Sequence, residues 1–106
     1  MSNPRYREEY LEAAILDLIE IQGHYDSAQL GLGNDFSNAV TNRLEMILEF
    51  PESAAVFSGG GARKIAVGQF PYNIIYVIRS DTVFVIAVVH DRRHPNYWIS
   101  RLKLLD

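Results

Sequence analysis

Cysteine is absent from the 106-residue sequence, so disulfide bonds and thiolate zinc sites are excluded. Long apolar runs are absent too: the longest, Val83 to Val89, is far shorter than the roughly 20 residues that a membrane-spanning helix needs. Residues 1 to 7 lead into Glu8 and Glu9, and not into the apolar core of a secretion signal. We therefore expect the protein in the cytoplasm, without membrane contact.

Basic residues are scarce. Ten Lys and Arg residues stand against 13 Asp and Glu, which makes the formal net charge −3 and the pI about 5.5. A protein that grips RNA over a broad surface usually carries a basic excess. The charge balance therefore counts against a function built on such a surface.

Metal and cofactor motifs are missing as well. His24, His90 and His94 have no paired spacing of the kind that metal sites show. The run Gly59 to Gly61 lacks the lysine and the following serine or threonine of a phosphate-binding loop. We expect no metal and no other cofactor.

What the sequence does have is an ordinary globular composition, with 48% hydrophobic and 22% charged residues, and a length that fits a single domain over residues 1–106. Its charges are divided along the chain. Acidic residues dominate from Glu8 to Glu52, where only Arg43 opposes them, and basic residues dominate after that. An acidic helical half is thus predicted to precede a basic sheet half.

Two helices are predicted in the first half. Residues 8–25 carry apolar side chains at helical spacing. The segment Gly31 to Gly33 interrupts the pattern, and Asn34 or Asp35 can cap a second helix. That helix ends before Pro51, because proline pushes the preceding residue out of helical geometry. The two helices form an antiparallel hairpin.

Three strands are predicted in the second half, after a flexible loop at residues 58–61. They cover Arg63 to Gln69, Tyr72 to Arg79 and Thr82 to His90. The third is apolar on both faces, which is typical of a strand that is covered on both sides.

The fold class that follows is α+β. The helical hairpin, with an optional short first strand near residues 5–7, packs on one face of a small, mostly antiparallel sheet of three to four strands. Proline at position 95 stands near the start of a short C-terminal helix or tail, on which Trp98, Leu102 and Leu105 share one face.

A series of short motifs runs along this chain. In the second half it comprises Phe70-Pro71-Tyr72, Ile75-Tyr76, Ala87-Val88-Val89-His90, Arg92-Arg93, Pro95, Tyr97-Trp98 and Arg101. In the first half it comprises Ala14, Asp17-Leu18, Ile21, Tyr25, Leu32-Gly33, Phe36, Leu44, Ile47 and Pro51. The ordered series resembles the ParE branch of the ParE/RelE toxin superfamily from about Leu11 to Arg101.

The resemblance implies the toxin of a type II toxin–antitoxin system, of the kind that stabilises plasmids. ParE-like toxins block DNA gyrase, whereas RelE-like toxins cut mRNA in the ribosomal A site. Both are silenced by a partner antitoxin that wraps the toxin, so a cognate antitoxin and a toxin–antitoxin hetero-oligomer are expected. The fold alone does not choose between the two activities.

The first hypothesis is a ParE-like inhibitor of gyrase, which acts by binding and is no enzyme. In this reading the target surface comprises basic residues near the sheet together with the C-terminal segment. The candidate target-binding residues are Arg79, Arg92, Arg93, Tyr97, Trp98 and Arg101.

The second hypothesis is a ribosome-dependent endoribonuclease. Metal-independent RNA cleavage needs a base, an acid and cations that hold the phosphate. The candidates are Arg63, Lys64, Arg79 and Arg92 for the phosphate, and His90 or Tyr97 for the protons. The acidic pI counts against this reading. A third hypothesis is a toxin-like protein without toxicity.

Each candidate also has a structural interpretation. His90 can be a histidine whose hydrogen bonds are satisfied at the end of a buried strand. One of Arg92 and Arg93 can pair with a carboxylate of the acidic helices, such as Asp17 or Glu20. Tyr97 and Trp98 can lie in the core or contact the antitoxin. Tyr72 and Tyr76 are expected on the packed face of their strand.

Overall fold

A computed structural model of the protein describes residues 5–57 and 59–105. The strands are β1 (Arg7–Tyr10), β2 (Arg63–Ala66), β3 (Tyr72–Arg79) and β4 (Thr82–His90). The helices are α1 (Glu12–Ala28), α2 (Leu32–Glu49) and α3 (Asn96–Ile99). Short 3₁₀ segments cover Gly59–Gly61 and Ser100–Leu105. Ser58, part of the loop predicted at residues 58–61, lies outside the described residues.

The four strands form one sheet in the order β1-β4-β3-β2. β1 is parallel to β4, and the other two pairs are antiparallel. The α+β prediction is confirmed, including the first strand, which covers residues 7–10 and displaces the predicted start of the first helix. Glu8 and Glu9 pair with Val83 and Phe84 of β4. β1 thus gives hydrogen-bond partners to the backbone groups of β4 on the side that faces away from β3.

The helical hairpin turns at Gly31, whose φ of 89° places it in the left-handed region that glycine adopts easily. α2 begins directly afterwards at Leu32, so the prediction of a cap at Asn34 or Asp35 is wrong. Both residues lie in the first turn, where the Asp35 carboxylate still faces the positive end of the helix dipole. α2 ends at Glu49, two residues before Pro51, as predicted.

The sheet is covered on both faces. One core lies between the helical hairpin and the sheet, and includes Phe36, Ile47 and Tyr76. A second core lies on the opposite face, where Trp98 is packed with buried residues of β3 and β4. Leu102 and Leu105 pack against the same core. The predicted apolar face of the C-terminal segment is therefore confirmed.

The predicted first sheet strand is shorter than expected. β2 ends at Ala66 because Gly68 has a φ of 52° and the N–H of Val67 bonds back to the carbonyl of Tyr72, closing a turn. On the outer side of β2, Val56 forms an isolated antiparallel bridge with Arg63. Within residues 5–57 and 59–105, no helix combines the length and the apolar character that crossing a bilayer requires.

Candidate functional site

The second half of α1 and the end of β4 enclose an open cleft of about 210 Å³. We call it the α1–β4 cleft. Its lining includes Glu20 and His24 of α1, Tyr72 of β3, His90 of β4, and Arg93 and Tyr97 from the segment that follows. The cleft thus combines aromatic rings with charges of both signs.

The floor of this cleft contains Asp17, a buried carboxylate with 6% of its surface exposed. It accepts hydrogen bonds from the N–H of Val88 at 3.1 Å and from the hydroxyl of Tyr97 at 2.9 Å. The guanidinium of Arg101 donates two more, at 2.7 and 3.3 Å. A buried charge is tolerated only when it is paired and hydrogen-bonded, and Asp17 meets both conditions.

The partner of Asp17 differs from the one that the sequence suggested. Arg92 or Arg93 was expected to pair with Asp17 or Glu20, but Arg101 forms the only ion pair within the part of the chain that the structure describes. One signal for Arg101 was present in the sequence: it follows Tyr97 by four residues, which brings both side chains to one side of a helical segment. Asp17 gave no such signal, because it lies mostly off the apolar stripe that helical spacing predicts, and only the structure shows it buried with Ala14 and Ile21.

Tyr97 sits between charges at the mouth of the cleft. The guanidinium carbons of Arg93 and Arg101 lie 4.3 and 4.8 Å from the centre of its ring, within the range of cation–π attraction. Burial raises the pKa of the Tyr97 phenol, and the hydrogen bond to Asp17 and the negative charge of Asp17 raise it further. The positive charge of Arg101 and its hydrogen bond lower the pKa of the phenol, but by less. The phenol therefore stays protonated and acts as a donor.

The pKa of Arg101 is also raised. Burial by itself lowers it, but the hydrogen bonds to Asp17 and the charge of that carboxylate outweigh the loss of hydration. Arg101 is thus a permanent cation held behind Tyr97. In the structure it pairs with Asp17, and a contact of Arg101 with the target stays a prediction.

His90 ends β4 beside the cleft. Its Nδ1 accepts a hydrogen bond from the N–H of Arg92 at 3.1 Å, which leaves Nε2 as the ring nitrogen that can donate. The ring of Tyr72 meets the imidazole edge-on, with centroids 5.2 Å apart. Arg92 itself is exposed in the turn that follows β4.

The basic residues of β2 are remote from this cleft. Arg63 donates hydrogen bonds to the carbonyl oxygens of Ala54 and Glu52, so it ties down the segment before β2. The ammonium of Lys64 lies 5.0 Å from the ring centre of Phe57. Both cations therefore make contacts within the protein. They lie on β2, at the edge of the sheet opposite β1.

Arg79 and His90 lie at opposite ends of the β3–β4 pair. Arg79 is opposite Thr82, and Tyr72 is opposite His90. Thr82 and His90 are eight positions apart along β4, which corresponds to about 26 Å at ~3.3 Å per residue. The guanidinium of Arg79 reaches instead toward the carbonyl of Gly60, at 3.4 Å.

Trp98 is the candidate that lies deepest in the protein. Only 2% of its surface is exposed, and its ring packs 5.6 Å from that of Phe57 in the second core. The structure thus brings Arg93 and Tyr97 together at the cleft, keeps Trp98 in the core and leaves Arg79 elsewhere. Among residues 5–57 and 59–105, no three His, Asp or Glu side chains are grouped so that they could share a metal ion.

Comparisons with known proteins agree with this architecture. The family model "ParE toxin of type II toxin-antitoxin system, parDE" matches residues 9–95. The chromosomal ParDE system of P. aeruginosa contains a similar chain, with a TM-score of 0.72 and 11% identity over 81% of this chain and 96% of that one. A mutant of the E. coli toxin RelE in its free state is similar too, with a TM-score of 0.69 and 21% identity over 96% and 98%. Curated protein sequences contain no match. At such identities the structural similarities show the fold alone.

Proposed function

The chain belongs to the ParE family of toxins from type II toxin–antitoxin systems, and on that premise we propose that it inhibits DNA gyrase in the cytoplasm by binding to it. The observation that carries the proposal is the pairing of Arg93 with Tyr97 at the α1–β4 cleft. Tyr97 is 37% exposed, and its ring is held by Arg93 and by the hydrogen bond to Asp17. Arginine and tyrosine are among the residues that dominate binding energy at protein interfaces, and side chains that are already ordered lose less entropy on binding.

Three features favour an inhibitor over a ribonuclease. The basic residues that could hold a phosphate are dispersed: Arg63 and Lys64 lie on β2, and Arg79 and Arg92 lie at opposite ends of the β3–β4 pair. The raised pKa of Tyr97 disfavours the phenolate that a base needs. The net charge of −3 gives no general attraction for RNA.

The antitoxin is proposed to cover the outer face of α1. Ile15, Leu16 and Ile19 expose between 43% and 61% of their surfaces there. Acidic residues such as Glu12 and Glu20 lie on the same helix. We propose that the antitoxin contributes an amphipathic segment. Its apolar side chains would pack on this face of α1, and its basic residues would lie beside the acidic residues of the helix.

The test is DNA supercoiling by the host's own gyrase with the purified chain. We expect inhibition that the antitoxin reverses. The variant Arg93→Ala should raise the inhibitory concentration at least tenfold, because it removes a cation from the proposed contact. Arg43→Ala on α2 removes the same charge far from the cleft and should leave the concentration within twofold.

Other outcomes redirect the assignment. If gyrase is unaffected and induction of the chain produces mRNA ends inside translated codons, the activity is that of a ribosome-dependent ribonuclease. If growth is unaffected by full induction of folded protein, the chain is a toxin fold without toxicity.

A further inference from the structure

The parallel strand β1 is shorter than its neighbour β4. Tyr10, its last residue, is opposite Val85, and the N–H of Leu11 donates the last hydrogen bond of this edge to the carbonyl of Val85 at 3.0 Å. β4 continues to His90. Beyond Val85, no strand within residues 5–57 and 59–105 lies beside the carbonyl of Ile86 and the N–H of Val88 on this edge of β4.

Asp17 and Arg101 occupy this edge. The guanidinium of Arg101 donates to the carbonyl of Ile86 at 3.1 Å, and the Asp17 carboxylate accepts from the N–H of Val88 at 3.1 Å. In a parallel pair of strands, the residue opposite Ala87 would make these same two bonds. Its N–H would donate to the carbonyl of Ile86, and its carbonyl would accept from the N–H of Val88. The ion pair, closed by a bond of 2.7 Å, thus replaces one strand residue.

We infer that Asp17 and Arg101 are positioning residues: by replacing that strand residue they join the C-terminal segment to α1 and β4 and hold Arg93 and Tyr97 at the cleft. The inference rests on the proposed function, because it treats Arg93 and Tyr97 as the contact surface. Neither Asp17 nor Arg101 needs to touch the target.

A series of direct contacts links Asp17 to Tyr97 and, through the ring of Tyr97, to Arg93. The second oxygen of Asp17 accepts from the hydroxyl of Tyr97. The guanidinium of Arg101 lies over the same ring, and so does that of Arg93. Removing the charge of Asp17 therefore frees first Tyr97 and Arg101, and then Arg93, although Arg93 makes no bond to Asp17.

The decisive variant is Asp17→Asn in the full chain. Asparagine has nearly the same shape, and its carbonyl oxygen can still accept from the N–H of Val88. Its NH2 group then replaces the oxygen that accepts from Tyr97 and Arg101, and it can accept from neither. We expect a rise of at least tenfold in the concentration that inhibits gyrase. Nuclear magnetic resonance should show faster averaging of the Tyr97 ring signals and faster hydrogen exchange at Val88.

The matched control is Val40→Ala, which truncates a buried side chain of α2. It lowers the melting temperature without contacting the cleft, and assays are run below the melting temperatures of both variants. We expect its inhibitory concentration within twofold of the parent chain and its Tyr97 signals unchanged. Equal losses of inhibition in the two variants would overturn the inference, because the pair would then act through stability alone.

Failure of the proposed function gives a different result. If the parent chain does not inhibit gyrase, the choice of target is wrong, but the resonance comparison still decides the positioning role. Tyr97 signals that change in Asp17→Asn and not in Val40→Ala then support it. Unchanged Tyr97 signals in Asp17→Asn overturn it.

Discussion

Tyr76 shows how a single polar atom is accommodated in the core. Its side chain is fully buried between the hairpin and the sheet, and its hydroxyl donates to the carbonyl of Pro51 at 2.7 Å. The bond connects β3 to the end of α2. A buried hydroxyl is therefore used to attach the segment that follows the helical hairpin.

Tyr76→Phe is expected to lower the free energy of unfolding by about 1–2 kcal/mol, because the carbonyl of Pro51 loses its donor in a buried place. Urea denaturation measures the change. Tyr72→Phe is the matched control, since it removes a hydroxyl from a half-buried tyrosine at the start of the same strand. Equal losses for the two variants would contradict the assigned bond.

Tyrosine ionisation should make the protein sensitive to alkali. Burial is the largest cause of the raised pKa at each of four residues, Tyr10, Tyr25, Tyr76 and Tyr97. The unfolded chain loses these protons near the ordinary value of 10.0, while the folded chain keeps them. Between the two pKa values the unfolded state binds fewer protons, so stability falls as pH rises.

The expected outcome is a melting temperature that is constant from pH 8 to about 9.5 and declines above about 10. Calorimetry at several pH values checks it. Tyr97→Phe removes one of the four groups and should make the decline less steep. A melting temperature that stays constant to pH 11 would contradict the burial of these hydroxyls.

At the scale of elements, the two helices of the hairpin approach closely at Gly33. A Cβ atom on Gly33 would lie 2.5 Å from the carbonyl oxygen of Gln22 and 2.7 Å from the carboxylate of Asp26. The N–H of Gly33 donates to that same carboxylate at 2.8 Å. Glycine is required here by space, and α1 and α2 owe their close packing to it.

Gly33→Ala should therefore destabilise the protein by about 1–3 kcal/mol, since the helices must move apart to admit the methyl group. Gly23→Ala, in the exposed part of α1, is the matched control. Apart from its chain neighbours and the adjacent backbone of α1, no atom of the described residues lies within 4 Å of the added Cβ. The change should stabilise the protein by about 0.5–1 kcal/mol. Thermal unfolding of both variants tests the opposite signs.

Element prediction succeeded where periodicity is local. The strands β3 and β4 have the predicted limits, because alternating or continuous apolar runs end at clear turns at Ser80-Asp81 and after His90. The start of α1 was wrong because Glu8 to Tyr10 pair with β4, a contact across more than seventy residues. Local spacing cannot report such a contact.

The whole molecule consists of three layers: the helical hairpin, the sheet and the C-terminal segment. The third layer is thin, and its main anchor is Trp98. In the same segment Leu104 exposes 68% of its surface. Trp98 is thus the largest buried side chain that closes the second sheet face, and it lies in the segment that carries Tyr97 and Arg101.

Trp98→Ala should cost about 3–5 kcal/mol and expose part of the second sheet face. We expect a lower melting temperature and increased binding of a hydrophobic dye at moderate temperature. Leu104→Ala, a large apolar truncation in the same segment, should change the free energy of unfolding by no more than about 0.5 kcal/mol. Similar losses for the two would mean that the segment does not cover the sheet as described.

The amino-acid sequence by itself determined the helical hairpin, three of the four strands, their order, the α+β class and the resemblance to the ParE branch, because these depend on local spacing and on motif order. Only the tertiary structure decided which candidates meet. Asp17 and Arg101 are 84 residues apart, and their pairing follows from the early end of β1 beside β4. Arg79 and His90 are closer in sequence but are directed to opposite ends of the sheet, since strand register, and not sequence distance, sets where a side chain lies.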